Sequence, residues 1–249
     1  MIIDAHQHLF KGFAGEMGVS TPEEFVNGFK SWGVDKGIAG TFDGYFSDYK
    51  AANDELYALM VQYPDTVQAW CVIDPRDGED AIEELDRCIT RLGMAGLELN
   101  PWIQAVSTVD PCMFPLLEEA AHLKIPILYH DGTAPYCTVD QVVYIAGRYP
   151  DTPIILGGGG LMDYARGAVR AAVKHDNILL ACSGGRLDTY RRVVDVVGAE
   201  RIVWASAYAF GGPEGIPYHL DKVDSLGLSE DDKENVLGGN ILRIVPSLE

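Results

Sequence analysis

A (β/α)₈ TIM barrel is the fold this sequence predicts, on three observations. Short β-branched runs alternate with amphipathic stretches from one end to the other, the pattern of strands that return in parallel through helices. Eight such runs can be placed along 249 residues, an ordinary length for one closed α/β barrel. No glycine-rich dinucleotide turn follows the first run, which sets aside the open doubly wound sheet. No linker or change of composition divides residues 1–249, so a single domain is expected.

The elements follow in order. The first strand is Met1–His8, and Thr21-Pro22-Glu23-Glu24 then opens a helix, with a capping hydroxyl and proline at the first helical position. The second and third strands, Gly37–Phe42 and Val67–Ile73, precede a helix over Gly78–Leu92. Strand four is Gly96–Asn100, followed by the helical spacing of Cys112–Leu123. Strand five, Ile125–His130, leads to Val139–Arg148, and strand six, Pro153–Gly157, leads to Asp163–Lys174. Ile178–Ser183, the helix Leu187–Val197 and the eighth strand Arg201–Ser206 complete the alternation, with Ser229–Val245 as a closing helical stretch. Each helical segment carries apolar residues three and four apart.

A net charge of −18 argues against nucleic acid and anionic membrane as partners, because both select a basic face. No apolar run is long enough to span a bilayer, and no signal peptide opens the chain. Cys71, Cys88, Cys112, Cys137 and Cys182 are odd in number and lack CxxC spacing. They read as reduced thiols of a cytoplasmic protein whose partner is a small-molecule substrate.

In a barrel, catalytic groups sit at the C-terminal ends of strands. Strand one ends in His6-Gln7-His8, and alternate strand residues share a face. Both imidazoles can therefore turn to the barrel mouth, where the bland alternative is a pair of solvated polar groups. His130 ends strand five, which feeds the same interior layers as strand one. Three imidazoles plus water suit zinc or another divalent metal. Glu98 ends strand four and reads either as a metal ligand or general base, or as a carboxylate fixing its loop. Asp4 is expected to orient the strand-one histidines. His122, His175 and His219 fall in helices or loops and are read as surface residues.

These residues resemble the amidohydrolase superfamily, in the branch that holds amidohydrolase-related hydrolases and decarboxylases similar to aminocarboxymuconate-semialdehyde decarboxylase. The likeness rests on Ile3-Asp4-Ala5-His6-Gln7-His8, Asp74-Pro75, Gly96-Leu97-Glu98-Leu99-Asn100-Pro101 and Pro126-Ile127-Leu128-Tyr129-His130. It continues through Pro153 to Gly160 and the closing Leu237-Gly238-Gly239-Asn240-Ile241-Leu242-Arg243. The resemblance implies one divalent metal, usually zinc, on the HxH pair, the strand-five histidine and a strand-eight aspartate, with a strand-six histidine for proton transfer. It implies attack by a metal-activated water on a small carbonyl or carboxylate substrate, in hydrolysis or decarboxylation.

Two positions depart from the pattern. Strand six reads Leu156-Gly157-Gly158-Gly159-Gly160, with Gly158 in the place of the histidine, and strand eight reads Ala205-Ser206-Ala207-Tyr208-Ala209-Phe210, with Ala207 in the place of the aspartate. Neither can bind metal or move a proton. Both changes are to small side chains amid an intact motif, and Leu248-Glu249 matches the scar a cloning site leaves before a purification tag. The sequence favours a deliberately altered, impaired barrel over drift, with an emptied, wet mouth. Restoring histidine at 158 and aspartate at 207 together is expected to return tight zinc binding.

Two alternatives differ in class. Cys71 and Cys182 lie on odd strands, as the three histidines do, so a Cys/His dyad would make a metal-free thiol esterase. A barrel that binds a small molecule without turning it over is the non-enzyme reading.

Overall fold

The computed structural model describes residues 1–9, 21–161, 164–207 and 214–248. Eight parallel strands run in sequence order around a barrel, as the alternation predicts. They are β1 (Ile3–Leu9), β2 (Lys36–Thr41), β3 (Val67–Val72), β4 (Gly96–Leu99), β5 (Ile127–Tyr129), β6 (Ile154–Leu156), β7 (Ile178–Ala181) and β8 (Ile202–Val203). The helices between them are α1 (Pro22–Trp32), α2 (Asp43–Phe46), α3 (Tyr49–Gln62), α4 (Glu79–Thr90), α5 (Met113–His122), α6 (Val139–Arg148), α7 (Ala165–Lys174) and α8 (Leu187–Val197). Gly215–Asp224 follows β8 as α9. Residues 10–20, the Tyr208-Ala209-Phe210 end of the strand-eight motif, and Glu249 lie outside the described residues.

Local chemistry places the ends. Thr21 Oγ1 accepts from Glu24 N at 3.1 Å with Pro22 in the first turn, the cap the sequence announces. Thr138 and Gln141 close a reciprocal capping box on α6. Three helices escape the sequence reading, the single-turn α2 among them. Asp48 caps α3 by accepting from Lys50 N and Ala51 N, and α9 begins Gly-Ile-Pro, a composition that reads as loop.

Two apolar layers result. Inside the barrel, Ile3, Ala5, Ile38, Trp70, Leu128, Ile155, Leu179 and Val203 pack with Ile241, Val245 and Leu248. That closing segment covers the N-terminal end, where Lys36 Nζ donates to Leu248 O. Between sheet and helices lie Ala69, Cys71, Leu97, Ile127, Leu156, Leu180 and Cys182, together with Phe25, Phe29, Leu85 and Leu117. The seam between β8 and β1 is narrow. Ala5 N donates to Trp204 O at 3.0 Å, and the buried Asp4 carboxylate accepts from Ser206 N at 3.0 Å and from Ser206 Oγ.

β1 carries the one register break that positions the site. Asp4 pairs with Gly37 but Gln7 pairs with Ala39, so β1 holds one extra residue, a β-bulge. The bulge flips the side-chain parity. Ile3 and Ala5 fill the barrel below it, while His6 and His8 face the mouth above it.

Candidate metal centre

The expected histidines come together. The His6, His8 and His130 rings stand 4.9, 5.2 and 5.7 Å apart, centroid to centroid, and one ring nitrogen from each lies within 4.8 Å of the others. His6 and His8 are buried, and His130, one residue past β5, is partly accessible. Such a cluster can hold a metal ion.

Hydrogen bonds set the rings. His6 Nδ1 lies 3.3 Å from Gly157 O; a carbonyl only accepts, so Nδ1 carries the proton and Nε2 keeps its lone pair. His6 Nε2 makes no hydrogen bond among the described residues. Glu98 enters from β4, fully buried, its Oε1 2.6 Å from His8 Nε2 and 3.5 Å from His6 Nε2. Of the two readings of Glu98, the structure places it among the imidazoles. Phe42, at the end of β2, packs its ring 4.3 Å from that of His8, and Tyr45 Oη donates to Glu98 O at 3.4 Å.

Electrostatics disfavour a charge on His8 and His130 and keep the Glu98 carboxylate ionised. Burial pushes His8 down, with Glu98 opposing. Burial and the neighbouring His6 and His8 push His130 down to about 3. Burial works to raise Glu98, but His8 and His6 outweigh it and hold the carboxyl below its usual range. Imidazoles beside an ionised carboxylate are a donor set for a divalent cation. The orphaned His6 Nε2 is the mark of a missing partner.

The cysteines are a correction. Strand alternation puts Trp70 inside the barrel and Cys71 outside, and likewise Ala181 inside and Cys182 outside. Cys71 lies against Cys88 of α4, and burial pushes the Cys182 thiol up to about 12. The structure does not bring either sulfur to the imidazoles. Iodoacetamide on the native protein is therefore expected to label Cys112, which is partly exposed, and to spare Cys71 and Cys182. Native labelling of Cys182 accompanied by loss of turnover would revive the thiol route.

The two departing positions behave differently. Ala207 sits at φ 49°, a left-handed conformation that aspartate tolerates better than alanine. Gly158 does not front an empty space. A Cβ there would meet Asp131 O at 2.7 Å and Leu161 Cδ2 at 3.1 Å. Leu161, at φ 43°, also approaches the Cβ positions of Gly132 and Gly184 at 2.6 Å. The widened mouth expected from residue 158 is thus narrowed by one leucine lodged among three glycines.

Asp131 was missed. Its buried carboxylate accepts from Gly158 N at 2.6 Å and Gly160 N at 2.8 Å, and so fixes the turn whose Gly157 O orients His6. Its adjacency to His130 was the available signal. His219 is not a surface residue: it is half-buried and pushed down to about 4, first by burial and then by Lys222. Arg186 pairs with Asp188 at 2.9 Å on the exposed start of α8.

The amidohydrolase family profile matches residues 3–246. The chain belongs to the amidohydrolase family. A 2-keto-4-carboxy-3-hexenedioate hydratase of Sphingobium sp. is 24% identical over 80% of this chain and 72% of its own. A gamma-resorcylate decarboxylase of Polaromonas sp. is 24% identical over 77% of this chain and 74% of its own. Among solved structures, a dihydroxybenzoic acid decarboxylase from Polaromonas sp. with bound manganese and the inhibitor 2-nitroresorcinol superposes with a TM-score of 0.75. It is 18% identical and covers 98% of this chain and 96% of its own. No helix among the described residues of this family member is long and apolar enough to cross a membrane.

Proposed function

We propose that this chain is a divalent-metal-dependent amidohydrolase-family enzyme acting on a small carbonyl or carboxylate substrate, by decarboxylation, hydration or hydrolysis. The observation that carries the reading is the convergence of His6, His8 and His130 nitrogens within 4.8 Å beside a buried carboxylate. Those three residues would hold the metal, and zinc is the cation such a donor set suits. A divalent cation supplies polarisation of a carbonyl or carboxylate oxygen and a water acidified toward neutrality. Glu98 lies within 3.5 Å of both β1 imidazoles through Oε1, and its Oε2, which accepts no hydrogen bond among the described residues, would be the atom that takes the proton. Gly157 O orients His6, and Phe42 and Leu161 restrict water at the mouth. The hydratase and the decarboxylases in the comparisons support addition or removal chemistry at carbon over amide hydrolysis. Residues 158 and 207 move no proton, so turnover is expected to be slow, by roughly 10²–10⁴-fold where a general acid–base group is missing.

The test is metal analysis with turnover. Purified protein is expected to hold one equivalent of zinc or manganese and to decarboxylate dihydroxybenzoates or hydrate unsaturated oxo-dicarboxylates slowly. Chelator should abolish this and added metal restore it. A protein that takes up neither metal overturns the reading, and metal without any turnover supports the small-molecule binder instead.

A further inference from the structure

We infer that Glu98 is itself the fourth metal ligand, so that the anionic donor of this barrel comes from β4. The inference rests on the metal reading above and deepens it. A divalent cation held by three imidazole ligands in a buried site needs a negative charge close by. Three buried carboxylates stand near the rings, and two are fully engaged. Asp4 spends both oxygens on Ser206 and on His6 N, and Asp131 spends both on the Gly158 and Gly160 amides. Glu98 is different. Its Oε1 lies 2.6 and 3.5 Å from the His8 and His6 Nε2 atoms. Tetrahedral ligand atoms around one zinc stand roughly 3.3 Å apart, given bond lengths near 2.0–2.1 Å. Its Oε2 accepts no hydrogen bond among the described residues. Ala207, at the end of the barrel sequence, offers no donor atom.

A second residue makes room for this arrangement. A Cβ at Gly40 of β2 would fall 1.9 Å from Glu98 Oε2 and 2.9 Å from its carboxyl carbon. Only a residue without a side chain lets the carboxylate lie against the imidazoles. The atoms that such a Cβ would meet are the tip of Glu98 and, at 3.1 Å, His8 Cδ2, none of them backbone, so Gly40→Ala displaces the carboxylate first and crowds one imidazole while leaving the barrel to fold.

The experiment is titration of the metal-stripped full chain with Zn²⁺ and Co²⁺, followed by calorimetry and by the visible spectrum of bound cobalt. Glu98→Gln, which keeps shape and loses charge, is expected to weaken Zn²⁺ binding by at least about 100-fold, since even partners that only orient ligands are worth 10–100-fold. Gly40→Ala should weaken it in the same direction with Glu98 still present. Both should change the cobalt spectrum. Adding Ala207→Asp to Glu98→Gln should recover much of the affinity, because residue 207 already holds a conformation that aspartate tolerates. Circular dichroism confirms folding of each variant, and if Glu98→Gln does not fold, Glu98→Asp, which keeps the charge but withdraws it from the imidazoles, carries the test. Zn²⁺ affinity within about 3-fold of the parent and an unchanged cobalt spectrum in the folded variants would overturn the inference. A parent chain that binds no metal fails differently, and takes the proposed function with it.

Discussion

Replacing Asp4 by alanine is expected to lower the melting temperature by roughly 5–15 °C, because it unfastens the barrel seam. β8 is short, and Ala5 N to Trp204 O at 3.0 Å is the backbone bond that joins it to β1. The Asp4 carboxylate adds bonds from Ser206 N and Ser206 Oγ across the seam and from His6 N on its own strand. Hydrogen bonds to a charged group contribute about 1.5–3 kcal/mol each, and losing the acceptor leaves buried donors unpaired. Burial works against the ionised form and raises Asp4 to about 6, despite the Ser206 and His6 bonds, so the net benefit is smaller than the sum. A loss of roughly 2–4 kcal/mol remains, at about 2–4 °C per kcal/mol for a chain of this size. Asp4→Asn should cost less than half as much, because its amide oxygen still accepts and its NH₂ can donate to the serine. Calorimetry on the three proteins decides it. A shift under about 2 °C for alanine would mean the seam is held elsewhere.

The barrel and its three histidines were legible because both follow from local rules. Strand–helix alternation survives in one sequence, and a histidine at a strand end is where a barrel concentrates chemistry. What failed was the step from strand to face. Cys71 and Cys182 share odd strands with the histidines, but the face a side chain takes depends on its place within the strand, one residue off Trp70 and Ala181. His6 and His8 obey the same rule only after the β1 bulge resets it, and bulges leave little trace in sequence. Gly40 was illegible for another reason, and Asp131 showed only as a neighbour of His130. Each acts through a contact with a distant segment, Glu98 in one case and the Gly158–Gly160 turn in the other. Such contacts exist only once the chain has closed on itself.

Placing histidine at 158 is expected to destabilise the protein by roughly 2–4 kcal/mol without tightening metal binding, contrary to what the bare motif suggests. The first obstacle is backbone. A Cβ at 158 lies 2.7 Å from Asp131 O, a distance no rotamer choice relieves, and forced overpacking with the backbone shifts it brings commonly costs about 1–3 kcal/mol. Moving that turn also strains the Asp131 bonds to the Gly158 and Gly160 amides. Through Gly157 O it then disturbs His6, the ring the substitution is meant to assist. The second obstacle is Leu161, 3.1 Å from the same Cβ and held at φ 43°. Gly158→His with Leu161→Gly should therefore recover part of the loss, since glycine takes a positive φ freely and the leucine side chain vacates the space. Ala207→Asp alone, by contrast, should melt close to the parent. The readouts are melting temperature and Zn²⁺ affinity across the four proteins. A Gly158→His variant that melts within about 2 °C of the parent and binds zinc more tightly would show that residue 158 is an emptied histidine position. The opposite ordering makes it a glycine that the packing of Leu161 and Asp131 requires.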